Sequence, residues 1–121
     1  MQTSSRSWAV LVVDDNQDAA DSLAELLRHS GHHVDVAYTG MSALARVKQA
    51  CPEIVLCDLG LPELSGYDFA KAIRRDCPRT IRLVAISGYA QPEDVQRSIE
   101  AGFDAHVAKP AAPADIERWL A

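Results

Sequence analysis

Three acids and one lysine stand where apolar runs stop. Val10-Leu11-Val12-Val13 ends in Asp14-Asp15, Ile54-Val55-Leu56-Cys57 ends in Asp58, and Ala105-His106-Val107-Ala108 ends in Lys109-Pro110. Carboxylates brought together repel one another and destabilise a fold unless a cation neutralises them. Donors that are all oxygen select a hard ion, and Mg²⁺ suits a few carboxylates, a backbone carbonyl and waters. Beside such an ion one carboxylate can attack a phosphoryl group, because the oxygens in transfer carry charge that needs stabilising. Lys109 can pair with those oxygens and the Ser87 hydroxyl can donate to them. The product of that chemistry is an acyl phosphate.

This chemistry requires the apolar runs to be neighbouring strands whose ends meet. Short β-branched runs near 8–13, 34–38, 54–57, 81–86 and 105–108 read as strands, separated by segments of helical period. Ala20, Leu23, Ala24 and Leu27 give the first helix an apolar face with a stop at Gly31. Leu44, Val47 and Ala50 mark the second, and Phe69, Ala70, Ile73 and Cys77 the third, each closed by a proline. Val95 and Ile99 mark a fourth between Pro92 and Gly102, and Ile116 and Leu120 a short fifth after Pro113. The alternation predicts an α/β fold: a five-stranded parallel sheet of order 2-1-3-4-5, doubly wound with helices on both faces by right-handed crossovers. Ligands bind such sheets beyond the carboxyl ends of the strands, where Asp14, Asp15, Asp58, Ser87 and Lys109 all fall.

The bulk composition agrees with one core. The chain has 121 residues, 48% hydrophobic, with a formal net charge of -5. That fits a single domain over 8–121 behind a polar tail at 1–7. The acidic balance argues against direct nucleic-acid or anionic-membrane binding. The apolar stretch from Trp8 to Val13 is far too short to span a bilayer, so a cytoplasmic protein without membrane insertion is expected. Three cysteines, with neither a CxxC pair nor a Cys/His zinc spacing, read as reduced thiols.

Asp14-Asp15, Asp58 with Leu61-Pro62 and Gly66, Ser87, and Lys109-Pro110 resemble in order and spacing the signature of CheY-like response-regulator receiver domains, over almost the whole chain. The resemblance implies a flavodoxin-like (βα)5 sandwich. It implies transfer of a phosphoryl group to Asp58 from a phosphohistidine on a sensor histidine kinase or a histidine phosphotransfer protein. Asp15, Asp58 and the Gly60 carbonyl would ligate Mg²⁺, and Asp14 would act through a bound water. Ser87 and Lys109 would hold the phosphoryl oxygens and report the modification to the fourth and fifth βα units, with a phosphorylation-dependent dimer as one readout. Ser87-Gly88-Tyr89-Ala90 together with Gly102-Phe103-Asp104-Ala105-His106 is similar to receivers of hybrid sensor histidine kinases.

Single residues allow plainer readings. Asp14-Asp15 alone fits a helix N-cap, and Lys109-Pro110 alone fits a turn. His106 stands where the family usually has Tyr or Phe; it either packs, or switches with its charge state in play. Gly60 and Tyr89 stand where the family flanks the path of hydrolytic water. Gly60 alone also fits a loop needing a permissive backbone. His29, His32 and His33 around Gly31 suit a helix C-terminus better than a metal. Arg74-Arg75 and Asp76 read as a solvated face. A Mg²⁺-dependent phosphohydrolase with an aspartyl-phosphate intermediate is the enzyme alternative, but it normally carries a second Asp two residues after the nucleophile, where this chain has Gly60.

Overall fold

The computed structural model describes residues 7–77, 80–88, 91–109 and 113–119. Its elements run β1 (Ala9–Val13), α1 (Gln17–His29), β2 (His33–Ala37), α2 (Gly40–Ala50), β3 (Ile54–Asp58), α3 (Gly66–Asp76), β4 (Arg82–Ser87), α4 (Pro92–Ala101), β5 (Ala105–Ala108) and α5 (Pro113–Glu117). Strand boundaries differ from the sequence expectation by at most one residue at each end. Hydrogen bonding decides those ends: Asp58 pairs with Ile86 and so closes β3 as its last residue. The sheet has the expected order, β2-β1-β3-β4-β5, and every pairing is parallel.

Alternation along the buried strands sends side chains into two cores. Leu11, Val13, Val55, Cys57, Leu83 and Ala85 join Val47, Phe69 and Ile73 on the face of α2 and α3. Val10, Val12, Ile54, Leu56, Val84 and Val107 join Ala24, Leu27 and Ile116 on the face of α1 and α5. Both faces are covered, so the central strands β1 and β3 read as unbroken apolar runs with polar residues only where they end, whereas the edge strands β2 and β5 carry Asp35 and His106 within them.

Two charged side chains work inside this frame. Arg28 of α1 donates from Nε and Nη2 to the Val34 carbonyl of β2, at 3.2 and 2.7 Å. Arg74 does not lie on a solvated face as its neighbours suggested. Its side chain is only 13% exposed, and it donates to Gly102 O at 2.9 Å, Ile81 O at 2.7 Å and Asp104 Oδ2 at 2.8 Å. The reason is non-local. Gly102 ends α4 at φ +117 and lies so close that a Cβ there would sit 2.7 Å from Arg74 Cγ, while Asp104 Oδ2 also accepts from the Leu83 N–H at 2.9 Å. Arg75 and Asp76 keep to the solvated reading as an exposed pair at 2.9 Å, with the Arg75 hydrogen bond holding the Asp76 carboxyl below its ordinary range.

His32 also turns inward. It is 5% exposed, its Nδ1 accepts from the Trp8 N–H at 3.1 Å, and its Nε2 lies 3.6 Å from Glu117 Oε1. The ring therefore ties the start of β1 to α5, and of the three histidines His29 alone lies in the last turn of α1. Ser7, next to Trp8, donates its hydroxyl to Gly31 O at 2.7 Å.

Candidate functional site

The carboxyl ends of β1, β3, β4 and β5 build the site. Asn16 caps α1, its side-chain oxygen accepting from the Ala19 N–H at 3.1 Å. The capping duty that Asp14-Asp15 might have served thus belongs to Asn16, and both acids are left for the strand ends. Asn16 was missed in the sequence, although an amide residue before Gln17-Asp18 is a cap signal.

Asp14 and Asp58 are held by the same local turn. Asp14 Oδ1 accepts from the Asn16 N–H and Asp58 Oδ1 from the Gly60 N–H, each at 3.0 Å. One oxygen of each carboxylate is fixed by backbone and the other points on. Lys109 Nζ lies 3.2 Å from Asp58 Oδ2 and 3.7 Å from Asp14 Oδ2. Oxygens of Asp14, Asp15 and Asp58 lie within 4.8 Å of one another, forming a metal-capable acidic group among the described residues. The structure thus brings together all three acids and Lys109.

Ser87 is buried at the end of β4, and its carbonyl accepts the Lys109 N–H at 2.8 Å. This bond sets where β5 ends relative to β4, and with it the root of the lysine. The Leu59 N–H donates to Ile86 O at 3.2 Å, anchoring the loop after Asp58. Gly66 lets α3 begin against that loop, since a Cβ there would lie 2.8 Å from Leu59 Cα. Gly60 is different: a Cβ would meet only Asp58 Oδ1 at an ordinary 3.7 Å. Its backbone does not require glycine, so the missing side chain simply leaves the approach to Asp58 open.

The electrostatics show a site short of positive charge. Burial raises the Asp14 carboxyl above its ordinary range, and the Asp58 charge and a hydrogen bond shared with Asp58 push it further, against the Asn16 N–H and Lys109. Burial lowers the Lys109 ammonium, but the Asp58 hydrogen bond and the charges of Asp58 and Asp14 outweigh it, and the net shift is upward. Among the described residues Lys109 pairs with Asp14 and Asp58, and Asp15 adds a third carboxyl to the group. The donor set and its unrelieved repulsion therefore fit a hard divalent cation.

His106 lines a cavity with Asp115, Arg118 and Trp119, apart from the groove beside the acids. It is half-buried on β5, its Nε2 is buried without a hydrogen-bond partner among the described residues, and burial lowers its pKa against the attraction of Asp94 on α4. Tyr89 and Pro110 lie outside the described residues. Along α1 a groove of about 540 Å³ opens beside the acids, lined by Ala19, Leu23 and Leu26 as well as Asp14, Asp58 and Lys109. Leu26 is 51% exposed there.

Known proteins share this fold and much of this sequence pattern. A family model described as "Response regulator receiver domain" matches residues 10–121. The DNA-binding response regulator MtrA of Mycolicibacterium smegmatis is 34% identical over 107 residues, covering 88% of this chain but 46% of its own length. The chain thus spans about half of that relative. The crystal structure of a CheY-like response regulator receiver domain protein from Methanospirillum hungatei JF-1 superposes with a TM-score of 0.87 at 28% identity, covering 95% of this chain and 91% of the other. A response regulator protein from Burkholderia pseudomallei, solved with a phosphorylated aspartic acid, a calcium ion and citrate, gives a TM-score of 0.85 at 29% identity, over 93% of this chain and 65% of the other. With the fold, strand order and sequence in agreement, the chain belongs to the response regulator receiver domains of two-component systems.

Proposed function

We propose that Asp58 is the phosphoacceptor of this receiver. A carboxylate oxygen of Asp58 attacks the phosphorus of a phosphohistidine on a sensor histidine kinase or histidine phosphotransfer protein. The N–P bond breaks, and the imidazole nitrogen leaves with the electron pair and takes up a proton. The observation that carries this reading is the convergence at Asp58: acids within 4.8 Å and a lysine 3.2 Å from the oxygen not held by backbone.

Lys109 holds a phosphoryl oxygen in exchange for its carboxylate contacts, and the Ser87 hydroxyl donates to a second. Asp15, Asp58 and the Gly60 carbonyl would hold Mg²⁺, with Asp14 acting through water. When bound, the ion neutralises charge on the carboxylates and on the phosphoryl oxygens in transfer. The Burkholderia pseudomallei relative with its phosphorylated aspartic acid and calcium ion supports both parts. Gly60, at the position where a phosphohydrolase would need its second acid, counts against the enzyme alternative. The protein is thus a signalling module whose only turnover is slow loss of its own phosphoryl group, and it acts in the cytoplasm without contacting nucleic acid through this domain.

In the family the positions held here by Gly60 and Tyr89 flank the approach of hydrolytic water, and these two residues set the phosphoryl lifetime. His106 is the ring that moves as Ser87 engages the phosphoryl group, and the altered face around α4 and α5 can pair two phosphorylated copies. The test is intact-mass measurement after incubation with Mg²⁺ and a small acyl phosphate donor. A gain of about 80 Da, absent in Asp58→Asn and without Mg²⁺, is expected for one phosphoryl group. An unchanged mass in the parent chain would sink the reading.

A further inference from the structure

Helices α2 and α3 lie side by side on one face of the sheet, and each is capped by a cysteine. Cys51 caps α2 with its backbone in the left-handed region at φ 46, and its N–H donates to Val47 O. Cys77 caps α3, its N–H donating to Ile73 O. The last turns meet through Lys48 Nζ and Asp76 Oδ2 at 3.7 Å, and these residues lie three and one positions before the two caps. Cys51 also lines a cavity of about 370 Å³ with Thr80 and Ile81, in the stretch that follows Cys77 into β4. Cys51 is exposed and Cys77 half-buried, whereas Cys57 is enclosed between sheet and helices.

We propose that Cys51 and Cys77 form a reactive thiol pair that closes to an intramolecular disulfide under peroxide, locking the C-terminal ends of α2 and α3 together. The Cys51 thiolate, open to solvent, attacks one peroxide oxygen. The O–O bond breaks, water leaves after protonation, and Cys51 becomes a sulfenic acid. The Cys77 thiolate then attacks that sulfur, the S–S bond forms and a second water leaves. Two thiols are oxidised by two electrons and one hydrogen peroxide is reduced to two waters.

The environment orders the two steps. Burial pushes the Cys77 thiol up; Lys48 pulls it down, and the charges of Asp76 and Cys51 add to the rise. Cys51 therefore sits within electrostatic reach of Cys77, and Cys77 suits the second, resolving attack better than the first. The bond would form at the amino ends of β3 and β4, the opposite edge of the sheet from Asp58. Oxidation and phosphorylation can then occupy one molecule together.

The test is peroxide treatment of the full chain at low protein concentration, followed by intact mass and peptide mapping. A loss of about 2 Da that dithiothreitol reverses is expected for one disulfide. Fragments should join Cys51 to Cys77, and both C51S and C77S should lose the effect. The oxidised parent should also melt at a higher temperature than the reduced one, while C51S and C77S melt alike with and without peroxide. A Cys51–Cys51 dimer, a bond to Cys57, a Cys51 sulfinic acid without closure, or a disulfide that forms only in urea would each overturn the proposal.

Discussion

At the residue scale the cost of the acidic site shows at Asp14, whose burial and nearness to Asp58 both disfavour its charge. Its carboxyl sits above the ordinary value in the folded protein, so the fold holds the proton more tightly than the unfolded chain does. Stability then falls as pH rises from about 4 through the folded value, and the deficit is complete at neutral pH. Asp14→Asn should raise the melting temperature at pH 7 without divalent ions, and the gap should close below about pH 4. Millimolar Mg²⁺ should stabilise the parent more than the variant, by linkage of binding to folding. A thermal melt series across pH and Mg²⁺ reads both effects.

His106 has the opposite sign. Its pKa is lowered in the fold, so the unfolded chain takes the proton first and stability drops as pH falls below about 6.5. In His106→Tyr that slope should vanish. If the ring reports the phosphoryl state, the coupling between phosphorylation and α4 should vary between about pH 5.5 and pH 8 in the parent and stay flat in the variant. Amide exchange of α4 with and without phosphoryl donor measures it. Identical coupling at every pH in both proteins would remove the switching role.

Elements explain which features the sequence disclosed. The βα alternation was legible because the central strands are apolar runs, and the site was legible because its acids and lysine stand where such runs end. Arg74 was not legible. Its partners Ile81, Gly102 and Asp104 come from β4's lead-in and the α4–β5 connection, and no local pattern on α3 announces them. Arg74→Met removes the guanidinium from Ile81 O and Gly102 O and leaves Asp104, among the described residues, only its Leu83 N–H, and should cost about 2–4 kcal/mol in urea unfolding, with Arg74→Lys recovering only part. The direction of His32 was hidden for the same reason: Trp8 and Glu117 lie on other elements. Helix α1 allows a sharper functional test. Leu26→Glu, on the groove beside Asp58, should slow phosphoryl transfer from a phosphohistidine protein roughly tenfold, the scale of losing about 1.4 kcal/mol of docking energy, and leave the rate with a small acyl phosphate unchanged. Equal loss with both donors would place the defect in the site and not in docking.

For the whole molecule the two cores act as one unit across the sheet. Phe69 is fully buried in one of them, and Phe69→Ala should lower stability by about 3–5 kcal/mol through lost contacts and a cavity. The large exposed apolar side chains among the described residues, Leu26, Met41 and Ile99, sit on three different helices and form no single patch. Before phosphorylation the chain should therefore sediment as a monomer at micromolar concentration, and a phosphorylated dimer, if formed, should vanish in Asp58→Asn.

The hydrogen bonds from Arg28 to Val34 bear on how such a domain lives among copies of itself. His33 and Ala37 turn their peptide groups toward β1, the first donating to Trp8 O and the second accepting from the Asp14 N–H. Val34, one residue out of phase with them, turns its carbonyl outward along the open border of β2. A bare border of that kind invites another chain to add a strand, the first step toward runaway fibrils or exchanged segments. The guanidinium occupies that carbonyl, and Asp35 with Arg46 places paired charge beside it at 3.8 Å. The edge is thus partly blocked near Val34, which disfavours strand addition by another copy there.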